Sequence, residues 1–600
     1  MLITCRKYTT ATAFFEALWE AGISHVFVNL GSDHPGIMEA IARGKKDPTG
    51  SFPKVITCPH ETVALSMADG FARLTGKPQC VIVHVDVGTQ CLGAAVHNAS
   101  VARVPVLIFA GLSPFTLEGE MRGSRTEYIH WLQDAPDQKQ IVQQFCRYTG
   151  EIKTGTNVKQ MVNRALQFAT SDPKGPVYLT AGREVLEQEI TPYKLDQTVW
   201  GPVSPQPLAQ DGVETISDLL VNAQEPLVIT GYSGRNHTSC GALVALADTV
   251  PGLRVIDALG SDVCFPYSHP ASLGLQIGAH ESIRTADVIL VVDCDVPWIP
   301  TQCSPRPDAV IMHIDVDTLK RNMLLHYIPA KYRYCADAEL SFKQIQRYIA
   351  GHATYPAVLA KEPYLSRREK MIAEHRARLD NLAVIAAPPV DKSLPAHTPY
   401  LASQLRKLCP ENTIWCPEAV TNALPTCNQL QVDTPGCLIN GGGGGLGWSG
   451  GGSIGVKLAS DYLAGGVGKG GFVCQIVGDG TWMFGVPSTV YWIARKYSIP
   501  TLTIVLSNKG WNAPRKSLLL VHPDGVGSEV DNEGIGISFA PTPDYSGIAK
   551  AAAGHNAWAG CASSVKELDE LLPQAIESVK KGVLAVLEVR LKGSWEKASL

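Results

Sequence analysis

Short β-branched runs bounded by turn residues alternate with amphipathic stretches along the whole chain. Residues 26–30, 54–58, 80–85 and 106–110 read as strands, with helical stretches at 61–74 and 93–101 between them. The same alternation returns at 227–230, 253–256, 288–293 and 310–315, and again at 413–416, 472–477, 501–506 and 584–589. Runs that are apolar throughout belong to strands buried on both faces, and helices between them make the connections parallel. The pattern predicts an α/β protein of three doubly wound parallel-sheet domains. Pro-rich 199–207 and a charged helical stretch at 366–379, followed by Pro388, Pro389 and Pro395, set the joints. The expected division is 1–195, 205–352, a surface linker at 353–397, and 398–600.

Length agrees with this division, since 600 residues is too many for a single core. A net charge of −4 gives no basic footprint, so nucleic acid is not an expected partner. No apolar run reaches the ~18–20 residues of a membrane span. The sixteen cysteines are scattered from Cys5 to Cys561 without a CxxC pair or a zinc-ligand cluster. They read as reduced core residues of a cytoplasmic chain, with Cys91 alone expected near a ligand. The ending Ala598-Ser599-Leu600 resembles a peroxisomal tail that lacks its basic middle residue.

Glycine is in excess, at 55 residues, and nine of them crowd into 441–452. With a helix expected from Ser453, this reads as a glycine-rich loop whose helix N-terminus cradles an anion. Gly445-x-Gly447-x-x-Gly450 fits a dinucleotide fingerprint, but no good strand precedes it and no acidic residue ends a second strand at the required distance. Further on, the strand at 472–477 ends in Gly478-Asp479-Gly480 and the strand at 501–506 ends in Ser507-Asn508-Lys509-Gly510. Side chains at the carboxyl ends of neighbouring parallel strands point into one crevice. Asp479 and Asn508, with the Gly510 carbonyl, offer hard oxygen ligands suited to Mg²⁺ carrying a diphosphate.

A GDG followed after 26 residues by (Ser/Asn)-Asn resembles the binding motif of thiamine-diphosphate-dependent enzymes. The resemblance extends to CPHETVALSMADGFARLTGKP, with Glu61 in the cofactor-activating position, and so covers pyrimidine-binding, middle and diphosphate-binding domains. It implies that Glu61 protonates the aminopyrimidine and promotes the tautomer that deprotonates the thiazolium carbon. It also implies that Leu446 bends the cofactor and that the Gly445 backbone meets the pyrimidine. It further implies that Gly447, Gly478, Gly480, Thr481, Trp511 and Asn512 line the cofactor beside Asp479, Asn508 and Gly510 as metal ligands. A homodimer or homotetramer follows, with Glu61 and Asp479 supplied by different subunits across the interface.

Segments FPYSHP at 265–270 and HIDVD at 313–317 resemble the acetolactate synthase and benzoylformate decarboxylase branch. Within it, His84 and Ser32 fall on active-site positions of benzoylformate decarboxylase. That enzyme's second histidine would fall near Pro300 and Thr301 and has no counterpart here. The acid after the metal loop of pyruvate decarboxylase corresponds to Pro514. The FAD-contacting segment of acetolactate synthase is not recognisable at 291–297, which makes FAD a doubtful cofactor. Trp482, Phe484, Gln90, Arg515 and His130 are candidate pocket residues, with Arg515 a candidate partner for a substrate carboxylate. The implied activity is a C–C lyase or carboligase acting on 2-oxo acids or acyloins through a carbanion/enamine, and fewer proton donors favour carboligation. Three alternatives remain: a 2-hydroxyacyl-CoA lyase, a non-catalytic regulatory protein of this fold, and a nucleotide-dependent oxidoreductase.

Overall fold

The computed structural model describes residues 8–591 other than 259 and 326. The tail at 598–600 therefore lies outside the described residues. Three parallel sheets form, each between helices. The first holds β1 (His25–Val28), β2 (Lys54–Thr57), β3 (Gln79–Val83), β4 (Val106–Leu112), β5 (Tyr148–Ile152) and β6 (Val177–Gly182), in the order β2-β1-β3-β4-β6-β5. The second holds β7 (Pro226–Thr230), β8 (Arg254–Asp257), β9 (Ser272–Leu275), β10 (Val288–Val292), β11 (Val310–Asp315) and β12 (Tyr332–Cys335), in the order β12-β11-β10-β7-β8-β9. The third holds β13 (Ile414–Glu418), β14 (Val473–Gly478), β15 (Leu502–Ser507), β16 (Trp558–Ala562) and β17 (Ala585–Arg590), in the order β13-β14-β15-β17-β16. The doubly wound α/β expectation holds for all three.

In the first sheet the strand order reverses between β1 and β3. A crevice opens at such a switch point outside the carboxyl ends of the strands. Asn29, Ser32 and His84 all follow these two ends.

Four helices position the candidate chemistry: α1 (Glu61–Thr75), α2 (Trp448–Leu463), α3 (Asp479–Phe484) and α4 (Asn512–Val521). His60 caps α1, accepting from Thr62 N, and Gly76 closes it in the left-handed conformation. Helix α2 begins at Trp448 rather than at Ser453, so Gly450–Gly452 lie inside a helix and not in a loop. The reason is packing. A Cβ on Gly451 would lie 2.8 Å from Val63 O, and one on Gly455 would lie 2.2 Å from Met67 O. From the other side, a Cβ on Gly70 would lie 2.3 Å from Gly452 O. Bare backbone lets α1 and α2 touch, and this contact outweighs the poor helix propensity of glycine. Gly455→Ala is expected to cost about 1–3 kcal/mol through overpacking, read as a lower urea midpoint. Gly241→Ala, in a helix where the added methyl meets nothing within 4 Å, serves as the neutral or stabilising control.

The α1–α2 contact joins the first and third domains. One apolar cluster runs from Phe27, Val63, Met67 and Phe71 to Ile454, Val477 and Tyr491. Arg73, near the end of α1, ties in the middle domain. Its guanidinium donates to Ser261 Oγ and Asp262 Oδ1 at 3.0 Å each, and also to the Asn440 carbonyl. The segment expected as a linker is only partly one. Its helix Tyr364–Ile385 docks on the middle domain, where Tyr364 and Met371 enter the core and Tyr364 Oη donates to Val221 O at 2.8 Å.

Candidate active site

Two clusters form, one in the first domain and one in the third. Glu61 opens α1, where the first-turn N–H groups favour a negative charge. It is buried, and its Oε1 accepts from Asn29 Nδ2 at 2.9 Å. Gly88 is wedged between Glu61 and His84: a Cβ there would lie 3.4 Å from Glu61 Oε1 and 3.1 Å from His84 Cβ. Cys91 is exposed, and its carbonyl accepts from Thr62 Oγ1.

His84 is not a free imidazole. Its Nδ1 meets Asp33 Oδ1 at 2.5 Å, while Asp33 Oδ2 accepts from Val85 N at 3.1 Å. The Asp33 hydrogen bond outweighs burial and raises the His84 pKa above its ordinary value. Burial alone would push the Asp33 carboxyl up, but His34 and His84 hold it below the usual carboxylate range. Ser32 Oγ lies 3.0 Å from His130 Nε2. His130 is buried, 3.2 Å from Glu127, and desolvation lowers its pKa. Arg183 fastens this region by donating to Ser32 O at 3.0 Å and to Glu127 Oε2 at 2.9 Å. The first domain thus supplies two histidines to the neighbourhood of Ser32.

In the third domain, Asp479 follows β14 and Asn508 follows β15, which pair in register. Asp479 Oδ1 accepts from Gly480 N at 2.8 Å, and Oδ2 accepts from Asn508 N at 3.0 Å and Gly510 N at 3.2 Å. Burial pushes its carboxyl up to about 6, and among the described residues no cationic side chain pairs with it. The Asn508 carboxamide lies 3.1 Å from Asp479 Oδ1 and 3.1 Å from the Gly510 carbonyl. With its NH₂ inward it donates to both. With its oxygen inward, three oxygens meet at one point. That is a hard donor set around a buried, uncompensated carboxylate, and it fits Mg²⁺. Among the described residues no group of three His, Cys, Asp or Glu side chains offers another metal site. Gly510 sits at φ +140, where a Cβ would strike Ile537 O, so the metal loop needs glycine there.

The glycine loop departs from the expected anion cradle. Gly447 N, Trp448 N and Ser449 N, which open α2, all donate to the Glu418 carboxylate, at 3.0, 3.3 and 2.7 Å. The helix terminus already has its anion, and burial pushes the Glu418 carboxyl up to about 7. Gly445 also has a partner within the chain. Its N–H donates to Asn98 Oδ1 at 3.0 Å and its carbonyl accepts from Asn98 Nδ2 at 2.7 Å. This donor–acceptor pair is complementary to the edge of an aminopyrimidine, which fits a thiamine ring exchanging with the amide. Leu446 is half-buried beside it.

The remaining candidates separate. Gly480 lies against the Trp511 ring, Gly478 ends β14, and Thr481 and Asn512 are buried nearby. Trp482 does not line open space: it is enclosed in the core, and its Nε1 donates to Tyr491 Oη at 2.9 Å. Phe484 is exposed, and Gln90 donates to Asp86 from an exposed position. Arg515 is not available to a substrate. Its guanidinium donates to the carbonyls of Gly527, Ser528 and Val530 and so clamps the loop that follows α4. Sequence reasoning missed Asp33, Asn29, Asn98, Glu418 and Arg183. Only Asp33 carried a local signal, a charge set directly after Ser32 in the turn that leaves a buried strand.

The middle-domain crevice, at the ends of β7, β10 and β11, holds an ionic network. Arg103 of the first domain donates to Asp315 at 3.1 Å and Asp295 at 3.3 Å, and Lys320 donates to Asp295 at 2.8 Å. A cleft of about 410 Å³ lies alongside, bordered by Arg103, Tyr232 and Asp293. Among the described residues no helix is long and apolar enough to cross a membrane.

Three domains of one family match the chain. The thiamine pyrophosphate enzyme N-terminal TPP binding domain matches residues 8–141, the central domain 213–345, and the C-terminal TPP binding domain 422–589. Benzoylformate decarboxylase of Pseudomonas aeruginosa is 22% identical over 96% of this chain and 98% of that protein. Acetolactate synthase of Bacillus subtilis is 24% identical over 52% of each. The structure of thiamine diphosphate-dependent 4-hydroxybenzoylformate decarboxylase from Rhodococcus jostii RHA1 superposes with a TM-score of 0.75, at 19% identity, over 98% of this chain and all of that one.

Proposed function

The chain belongs to the thiamine pyrophosphate enzyme family, and from that premise we propose that it is a Mg²⁺-dependent C–C lyase or carboligase acting on 2-oxo acids or acyloins. The observation that carries the reading is the buried Asp479 carboxyl, which among the described residues has no cationic partner and lies 3.1 Å from the Asn508 carboxamide, itself 3.1 Å from the Gly510 carbonyl. Asp479, Asn508 and Gly510 would hold the cation and, through it, the diphosphate. Bound thiamine diphosphate supplies a nucleophilic carbon and an electron sink next to the carbonyl under attack. Glu61, buried and held by Asn29 Nδ2, would exchange a proton with the pyrimidine ring of the bound cofactor. Leu446, half-buried beside Gly445, would support the bound cofactor. His84 receives the substrate carboxylate, and Ser32 with His130 handles a proton on the same side. This second imidazole restores a proton donor that the sequence lacked in the middle domain, so aldehyde release is expected beside carboligation.

A homo-oligomer in which Glu61 of one copy faces the Asp479 cluster of another completes the reading. Exposed apolar groups flank both clusters, Tyr128, Trp131 and Leu132 beside His130, and Leu520 and Val521 at the end of α4 with Val526 after it, and these support it. The test is a panel of 2-oxo acids, with and without an acceptor aldehyde, given to desalted protein with added cofactor and Mg²⁺. Aldehyde or acyloin product that depends on both additions is expected. Products formed without either addition, or none from any acid, overturn the reading.

A further inference from the structure

We propose that Asp33 is a positioning residue for the site, fixing the His84 ring by Nδ1 so that its opposite edge is presented to the carboxylate of the bound substrate. The proposal rests on the reading of His84 given above. Its physical basis is a pair that the surrounding chain is built to hold. Asp33 is fully buried, and both its oxygens are engaged, Oδ1 by His84 and Oδ2 by Val85 N. His84 keeps about a fifth of its side chain exposed, so the ring is anchored at one edge and open elsewhere.

Three glycines from three separate segments make the room. A Cβ on Gly31, after β1, would lie 1.8 Å from His84 Nδ1. A Cβ on Gly111, within β4, would lie 1.9 Å from Asp33 Oδ2. Gly88, after β3, sits between His84 and Glu61 as described above. Any side chain at Gly31 or Gly111 would drive the pair apart. A buried aspartate that merely satisfied a neighbour would not need this clearance on both sides.

The electrostatics agree. Asp33 and His34 face His84 from the turn after β1, Glu61 faces it from the first turn of α1, and His130 and Gln133 face it from the 128–133 segment. Desolvation lowers the pKa of both His34 and His130, while Asp33 raises that of His84. Three neighbouring imidazoles are thereby sorted, and His84 is the one whose charged form its surroundings favour. A group whose pKa is raised holds its charge to higher pH and loses it as pH rises through that value. Asparagine at 33 keeps the shape and removes the charge, so His84 would lose its proton at lower pH.

The experiment compares wild type with Asp33→Asn. In ¹⁵N-labelled protein without substrate, the His84 resonances are expected to titrate at lower pH in the variant. In steady-state assays KM for the 2-oxo acid is expected to rise on the order of tenfold to a hundredfold, the worth of a hydrogen bond to a charged group. The change in kcat is expected to be far smaller, and the KM for an uncharged acceptor aldehyde is expected to stay put. An unmoved His84 titration, or equal losses in kcat and KM, overturns the proposal. If the variant does not fold, wild type alone decides: neutral His84 must carry its proton on Nδ1, and a proton on Nε2 overturns it. Absence of turnover in wild type would remove the functional reading but leave the titration result standing on its own.

Discussion

Glu61→Gln is expected to lower turnover by about 10²–10⁴-fold, the range for loss of a positioned general acid–base group, while the protein keeps its fold and binds the cofactor. The side chain is nearly isosteric, and the partner Asn29 Nδ2, 2.9 Å from Oε1, can still find an acceptor in the glutamine amide oxygen. What glutamine cannot do is exchange a proton with a pyrimidine nitrogen. The location at the first position of α1 and the 8% exposure keep water from substituting for the carboxylate. Isothermal titration with cofactor and Mg²⁺ separates binding from turnover. Equal turnover in the two proteins would remove Glu61 from the mechanism, and loss of binding alone would make it a packing residue.

Asp479→Asn is expected to abolish retention of the cofactor after desalting. Losing even an outer partner of a metal ligand typically costs 10–100-fold in metal affinity, and a direct ligand should cost at least that. The asparagine oxygen can still accept from backbone N–H groups such as Asn508 N and Gly510 N, so the metal loop should keep its shape. The charge is what goes. The Mg²⁺ concentration for half-maximal activity should therefore rise steeply, with partial rescue at high Mg²⁺. An unchanged Mg²⁺ requirement would sink the assignment of this cluster. Asp479→Asn leaves Glu61, Asp33 and His84 untouched, so the third-domain cluster can be assigned independently of the first.

Most of the strands legible in the sequence are buried on both faces and so appear as unbroken apolar runs, with the part-exposed edge strand β2 legible as well. β5, β9, β12 and β16 escaped notice, and each lies at an edge of its sheet or is only partly buried. β6 carries an apolar run as clear as its neighbours' and was nonetheless not singled out. The start of α2 was misplaced because local propensity argues against helical glycine, whereas contact with a second backbone demands it. For the site, Glu61, Asp479 and Asn508 were legible since each sits at an element boundary within a compact motif. Asp33 with His84, Glu418 with the start of α2, and Asn98 with Gly445 were not. Each is a relation between positions far apart in the chain, and no local pattern records it. Arg515 shows the converse error: a basic residue after the metal loop looked free for a substrate, but three backbone carbonyls claim it.

The glycine-lined crossing of α1 and α2 also sets a timetable for biosynthesis. About 370 residues separate the end of α1 from the start of α2. At ~5–20 residues/s of synthesis, the interval is on the order of 20–75 s. Through that interval the face of α1 bearing Val63, Met67 and Gly70 leaves the ribosome without the helix it is shaped to meet. The first domain is thus completed in sequence long before it is completed in structure, and the whole middle domain must emerge in between. Nascent chains stalled before Trp448 should bind chaperones through α1, and release should coincide with emergence of α2.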